Sequence, residues 1–305
     1  MVNNYLHFIS INPEMWPRGP AQGLIYNPGL HPRVIFYNIG DIKLKKHANI
    51  LSSYRSGDLD TCLDLAERLL QENPEDALPL EYAARVHSKR RNPQLAKPYW
   101  HKLTELRPDW PEPFLQAARI ARREKDWASC ARYADEYIRQ SPDHPETLGL
   151  LAQCDMEKGD APKTARALFR LSQLNPKPVP PLAVQATKLG MGVEVAQALC
   201  PPQGKLAALH RQIAQALRDA AIGFEIRRQP FLAANCYQAL RIYTPASPYP
   251  AKALARLCKP YLDKAQAAVA AHAHDDALLH ARTCLKIDPE AVAPRRIARH
   301  AEEAV

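Results

Sequence analysis

No stretch of 18 apolar residues occurs in this sequence, so no membrane-spanning helix is expected. No Cys-x-x-Cys pair exists either. The seven cysteines, Cys62, Cys130, Cys154, Cys200, Cys236, Cys258 and Cys284, are odd in number and never closer than 22 residues. That spacing argues against zinc ribbons and redox motifs, and suits small buried residues in a reducing compartment such as the cytoplasm. Gly-x-Gly-x-x-Gly, the Walker loop, Gly-x-Ser-x-Gly and His-Glu-x-x-His are all missing, and Leu189-Gly190-Met191-Gly192 is too short a glycine signal to replace them. The chain is therefore read as non-enzymatic, with no cofactor. The opening residues lack a basic segment and a small-residue cleavage site, and are not expected to be a signal peptide. Glycine is scarce, 11 residues against 28 prolines, which favours many defined helix ends over flexible linkers.

What the sequence does contain is a ruler. Pro74, Pro108, Pro142 and Pro176 stand 34 residues apart. A fixed period of that length means stacked copies of one supersecondary unit. Proline disfavours the helical conformation of the residue before it, so Asn73, Arg107, Ser141 and Asn175 are expected helix stops. Within one period, Lys43 to Arg55 reads as a helix, Ser56-Gly57-Asp58 as a break, and Leu59 to Glu72 as a second helix with apolar residues at helical spacing.

The stretch GDLDTCLDLAERLLQENPED resembles the turn and second helix of a tetratricopeptide repeat. Setting each proline to position 32 of 34 puts Ile50, Ala84, Ala118 and Ala152 at position 8, and Cys62, Ala96, Cys130 and Thr164 at position 20. These are mostly the small residues that close helix approach requires. The resemblance implies an all-α, right-handed α-solenoid of stacked helix-turn-helix repeats. Its segments are an irregular N-terminal arm at 1–42, four units at 43–178, a degenerate repeat at 179–213 and a unit at 214–247. A further unit at 248–291, with a short preceding insertion, and a capping helix at 292–305 complete the chain. For the arm, a short hairpin around Asn27-Pro28-Gly29, an extended segment and a remnant of a preceding domain stay open.

In this family, first-helix positions 5, 9, 12 and 13 face a groove that holds peptides. In the first three repeats these positions carry Tyr54, Arg55, Arg85, Lys89, Arg119, Arg122 and Arg123, together with His47, Leu51, Glu81, Ser88 and Leu115. Arginine offers paired donors matched to carboxylates. The resemblance therefore implies a protein-interaction scaffold or adaptor with a basic groove for an acidic peptide or protein segment, consistent with a net charge of +9. A nucleic-acid or anionic-polymer binder is the alternative, weakened by the scarcity of aromatics among the groove cations. An accessory of a glycosyl- or sulfotransferase system is a third reading. The opposing possibility is a solvated face partly neutralised by Glu81, Glu112 and Glu124. The tract His272-Ala273-His274-Asp275-Asp276 with His280 imitates a metal cluster, but the frame makes it an inter-helix turn with Asp275 as helix cap.

Overall fold

The computed structural model describes residues 39–200 and 207–304, and among them the regular structure is fifteen α-helices. The chain divides into two units, residues 1–45 and 46–305. Of the first, only the opening turns of α1 are described. The hairpin considered at Asn27-Pro28-Gly29 lies outside the described residues.

Seven helical hairpins follow one another. They are α1 (Ile39–Ser56) with α2 (Leu59–Glu72), α3 (Ala77–Lys89) with α4 (Pro93–Leu106), and α5 (Pro111–Arg123) with α6 (Trp127–Gln140). Next come α7 (Pro145–Glu157) with α8 (Ala161–Leu174), and the short pair α9 (Val179–Lys188) with α10 (Gly192–Leu199). The last two are α11 (Ala207–Ile226) with α12 (Pro230–Tyr243), and α13 (Tyr249–Ala270) with α14 (His274–Ile287). Helix α15 (Val292–Ala304) then packs on α13 and α14.

The prolines act as read from sequence. Asn73, Arg107, Ser141 and Asn175 cap α2, α4, α6 and α8, each donating its backbone N–H to the carbonyl four residues back. Thr244 before Pro245 and Asp288 before Pro289 repeat the arrangement. The other helix of each hairpin ends on a left-handed residue: Gly57, Arg91, Lys125, Gly159, Gly190, Arg228 and His272 all have φ between 56° and 86°. A left-handed residue lets the chain reverse while satisfying the last carbonyls of the helix. Asn92, Asp126, Asp160, Met191, Gln229 and Ala273 each donate N–H to the carbonyl five residues back. Aspartates then start the second helix, as Asp58, Asp126 and Asp160 accept from the backbone of Thr61, Ser129 and Lys163 at 3.0–3.1 Å.

Three sequence expectations are corrected. The first helix begins at Ile39, not Lys43. The ten residues expected as an insertion before the last unit are helical: Pro248 and Pro250 fall at the start of α13, where a missing N–H costs nothing, and 22 continuous residues follow. Asp275 is not a cap; Ala273 holds that place and Asp275 lies in the first turn of α14. In addition, α11 begins at Ala207 and runs through the border placed between 213 and 214.

Packing changes along the molecule. In the first four hairpins each second helix lies against the next first helix, α2 on α3, α4 on α5, α6 on α7. At the short hairpin, α10 packs instead on both α8 and α12, while α9 packs on α11 and α12. The core follows suit. Separate clusters centred on Ile50, Trp100 and Phe114 serve the early interfaces, and one continuous cluster runs from Leu148 to Ile287.

Candidate peptide-binding cleft

First helices α5, α7 and α9 pack side by side, and between them opens a cleft of about 640 Å³. Its floor is apolar, with Leu150 and Leu182 flanked by Pro145, Pro178 and Pro181. Polar groups line the rim: Arg122 from the last turn of α5, Gln153 from α7, Gln185 from α9, and Asn175 and Lys177 from the α8–α9 connection. Gly149 helps create the space. A Cβ at that residue would meet only Leu171 Cδ2, at 4.0 Å, so nothing but the missing side chain keeps this part of the cleft open.

The cations here are unequal. Arg119 Nε donates to Glu146 Oε1 at 2.7 Å and a second guanidinium nitrogen reaches the other oxygen, so this pair bridges α5 and α7. The Arg119 guanidinium holds the Glu146 carboxyl below its ordinary value against the opposing effect of burial. Arg122, by contrast, is exposed and makes one long bond, Nη1 to Gln153 Oε1 at 3.5 Å. Asn175 Oδ1 accepts from the backbone of Lys177 at 3.2 Å, which orders the strap carrying the second rim cation.

The positions that decide the architecture are those where helices approach most closely. Ile50, Ala84, Ala118 and Ala152 at position 8, and Cys62, Ala96, Cys130 and Thr164 at position 20, are all fully buried. Together with the repeated left-handed turn, this is the unit inferred from the proline period. The fold is a tetratricopeptide solenoid. No protein-family profile matches the chain, and no curated protein matches it. Among solved structures, it is similar to MamA protein (TM-score 0.43, 11% identity, covering 68% of this chain and 94% of that one). It is also similar to a tetratricopeptide repeat protein from Parabacteroides merdae (TM-score 0.44, 8% identity, 85% and 98% covered). A third is YrrB, a TPR protein with an unusual peptide-binding site (TM-score 0.40, 16% identity, 62% and 96% covered).

In the solenoid the seven residues singled out from sequence fall into two groups. Around α1 and α3, Tyr54 packs edge-on against Tyr82 at 5.0 Å, and Lys89 Nζ sits 4.8 Å from the Tyr54 ring centre. Arg85 pairs with Glu81 at 2.6 Å and lies 5.7 Å from the Tyr82 ring centre. Burial pushes the Glu81 carboxyl up, opposed by Arg85. Arg55 stands apart, lining an open hollow with Ala48 and Leu51. The second group is Arg119, Arg122 and Arg123 on α5. Only Arg122 of the seven lines the main cleft. Leu115, a groove position by the family rule, is buried in the core.

The cleft is centred one unit beyond the three from which those residues were drawn. Gly149 and Gln153 occupy positions 5 and 9 of the fourth unit, so extending the same rule by 34 residues finds them. Lys177 and Gln185 lie in the degenerate unit, where no proline supplies a frame. The histidines of the former metal pattern are spread out, with ring centres of His272 and His300 each 6.4–6.5 Å from His274. No three His, Cys, Asp or Glu among the described residues gather around a common point suited to a metal ion. No helix among the described residues is long and apolar enough to cross a membrane.

Proposed function

We propose that the chain is a protein-interaction scaffold that holds an acidic, partly apolar segment in the cleft formed by α5, α7 and α9. The observation that carries this reading is the pairing of a leucine- and proline-lined floor with two rim cations, Arg122 and Lys177, that have no carboxylate partner. An apolar side chain of the bound segment would lose water on Leu150 and Leu182. Its carboxylates would meet Arg122 and Lys177. Gln153 and Gln185 carry both donors and acceptors, which suits an extended main chain. Arg119 is a positioning residue here, because its guanidinium is already committed to Glu146.

The test is fluorescence anisotropy with labelled peptides that combine acidic and leucine-type residues. Arg122→Glu with Lys177→Glu is expected to weaken binding roughly tenfold or more, equivalent to about 1.4 kcal/mol. Gly149→Leu should block the cleft while leaving helical circular dichroism intact. Unchanged affinity in both variants would remove the cleft from consideration. Steep salt dependence without preference among peptides would shift the reading to a track for anionic polymers.

A further inference from the structure

At the turns of the fifth and sixth hairpins the solenoid presents a surface of a different kind. Leu189, the C-cap of α9, is 47% exposed, and Ile226, the last residue of α11, is 78% exposed. Lys188 stands beside the first, and Arg227 and Arg228 beside the second. The two turns are joined through one ring: Lys188 Nζ lies 5.6 Å and Arg227 Cζ 5.1 Å from the centre of Phe224. Ile222, also exposed, sits one helical turn before Ile226 on the same face.

Three details suggest that this edge serves more than the fold. First, Arg228 adopts φ 56°, a conformation that suits glycine and that Gly57, Gly159 and Gly190 fill at equivalent turns. Second, the aspartate caps of α2, α6 and α8 are replaced by Met191 and Gln229, neither making a side-chain cap bond. Third, the three cations have no carboxylate partner. Glu225 between the turns is turned toward Tyr237 and Arg256, at 2.6 and 2.7 Å, leaving Glu194 in the first turn of α10 as the acid nearest in sequence.

We infer that this edge docks on an anionic lipid surface, with Ile226 and Leu189 entering the headgroup layer and Lys188, Arg227 and Arg228 held against lipid phosphates. Charge complementarity selects an anionic partner. The aliphatic side chains choose among anionic partners, since they stand proud on a protruding turn and offer a nucleic acid no ring to stack on. The site is separate from the peptide cleft, so the two can be occupied together.

Sedimentation of the full chain with vesicles of phosphatidylcholine alone, or of phosphatidylcholine with phosphatidylglycerol, tests this. The chain should sediment with the anionic vesicles. Each cation removed should lower affinity about fivefold, so Arg227→Gln with Arg228→Gly should cost about twentyfold. Arg228→Gly alone should weaken binding while raising the melting temperature, which separates loss of a contact from loss of the fold. Ile226→Ser should also weaken sedimentation, and Arg122→Glu should not. Equal sedimentation with neutral and anionic vesicles, or an unaffected edge variant, would overturn the inference. So would a loss with Arg122→Glu as large as with the edge variants, because binding would then follow only net charge. If Ile226→Ser leaves vesicle binding intact while the arginine variants abolish binding to an oligonucleotide, the edge belongs to nucleic acid instead.

Discussion

The two halves of the solenoid reverse each other. Through α8 the sequence is regular and the core is divided; beyond it the sequence is irregular and the core is continuous. The cause is the length of one helix. Each 14-residue second helix of the early hairpins separates its own interface from the next, whereas the eight-residue α10 leaves α8 and α12 sharing it as a neighbour. A faithful repeat thus produces modular packing, and a truncated one welds its neighbours together. Stability in repeat proteins is approximately a sum over units and interfaces, and here that description fits the first half better than the second.

Removal of a large buried ring is the strongest way to break the contrast. Trp100 and Tyr237 are both buried, and each donates a hydrogen bond, to Ser88 Oγ at 3.2 Å and to Glu225 Oε1 at 2.6 Å. Substituting either by alanine should cost about 3–5 kcal/mol. The spread of damage should differ. In hydrogen exchange, Trp100→Ala is expected to expose amides of α3 to α5 and leave α9 to α12 protected, whereas Tyr237→Ala should loosen α7 to α14 together. Equal spread in both variants would erase the distinction between divided and continuous cores.

The left-handed turns sharpen it on a smaller scale, because they recur in both halves with different residues. Gly57→Ala and Gly159→Ala should destabilise by about 1–2 kcal/mol through backbone crowding alone. Arg91→Gly and Lys125→Gly should stabilise by up to about 1 kcal/mol at the matching positions. Thermal melting of the four variants checks the sign, and a loss on going to glycine would mean that those side chains hold the turn in some further way.

Protonation produces the gentlest effect and acts on both halves alike. Burial lowers the pKa of His87, stacked on Tyr99, and of His210, set against Tyr243. Each leaves one ring nitrogen without a partner. The unfolded chain takes up protons near pH 6.5 that the folded chain resists, so stability is full above that value and declines as the pH falls through it. His87→Phe and His210→Phe should each flatten the slope of stability against pH below about 6.5. If the double variant keeps the full slope, the proton uptake lies elsewhere.

Much of this was legible in the sequence, and the reasons are local. Proline before a turn fixes a helix end from two adjacent residues, so α2, α4, α6 and α8 could be bounded by reading alone. Small residues at fixed positions named the buried contacts without any knowledge of distance. The length of α13 was not legible, because proline marks either the end of a helix or its first turn, and Pro248 and Pro250 do the latter. Nor was the cleft fully so. Groove positions identify which residues can face a ligand, but whether Arg119 or Arg122 is free depends on Glu146, 27 residues beyond Arg119. The continuous core depends on α10 meeting α12 across the intervening α11, and no local pattern encodes that meeting.

The placement of α10 between α8 and α12 also bears on how such a chain can change length over generations. A whole unit gained or lost among the first four hairpins rejoins like with like, since each border there has the same form. A cut between α8 and α12 would expose apolar surface on both sides, with no spare unit shaped to cover it. Ancestry should therefore have left its variation in number at the front of the solenoid and its conservatism around the shortest helix.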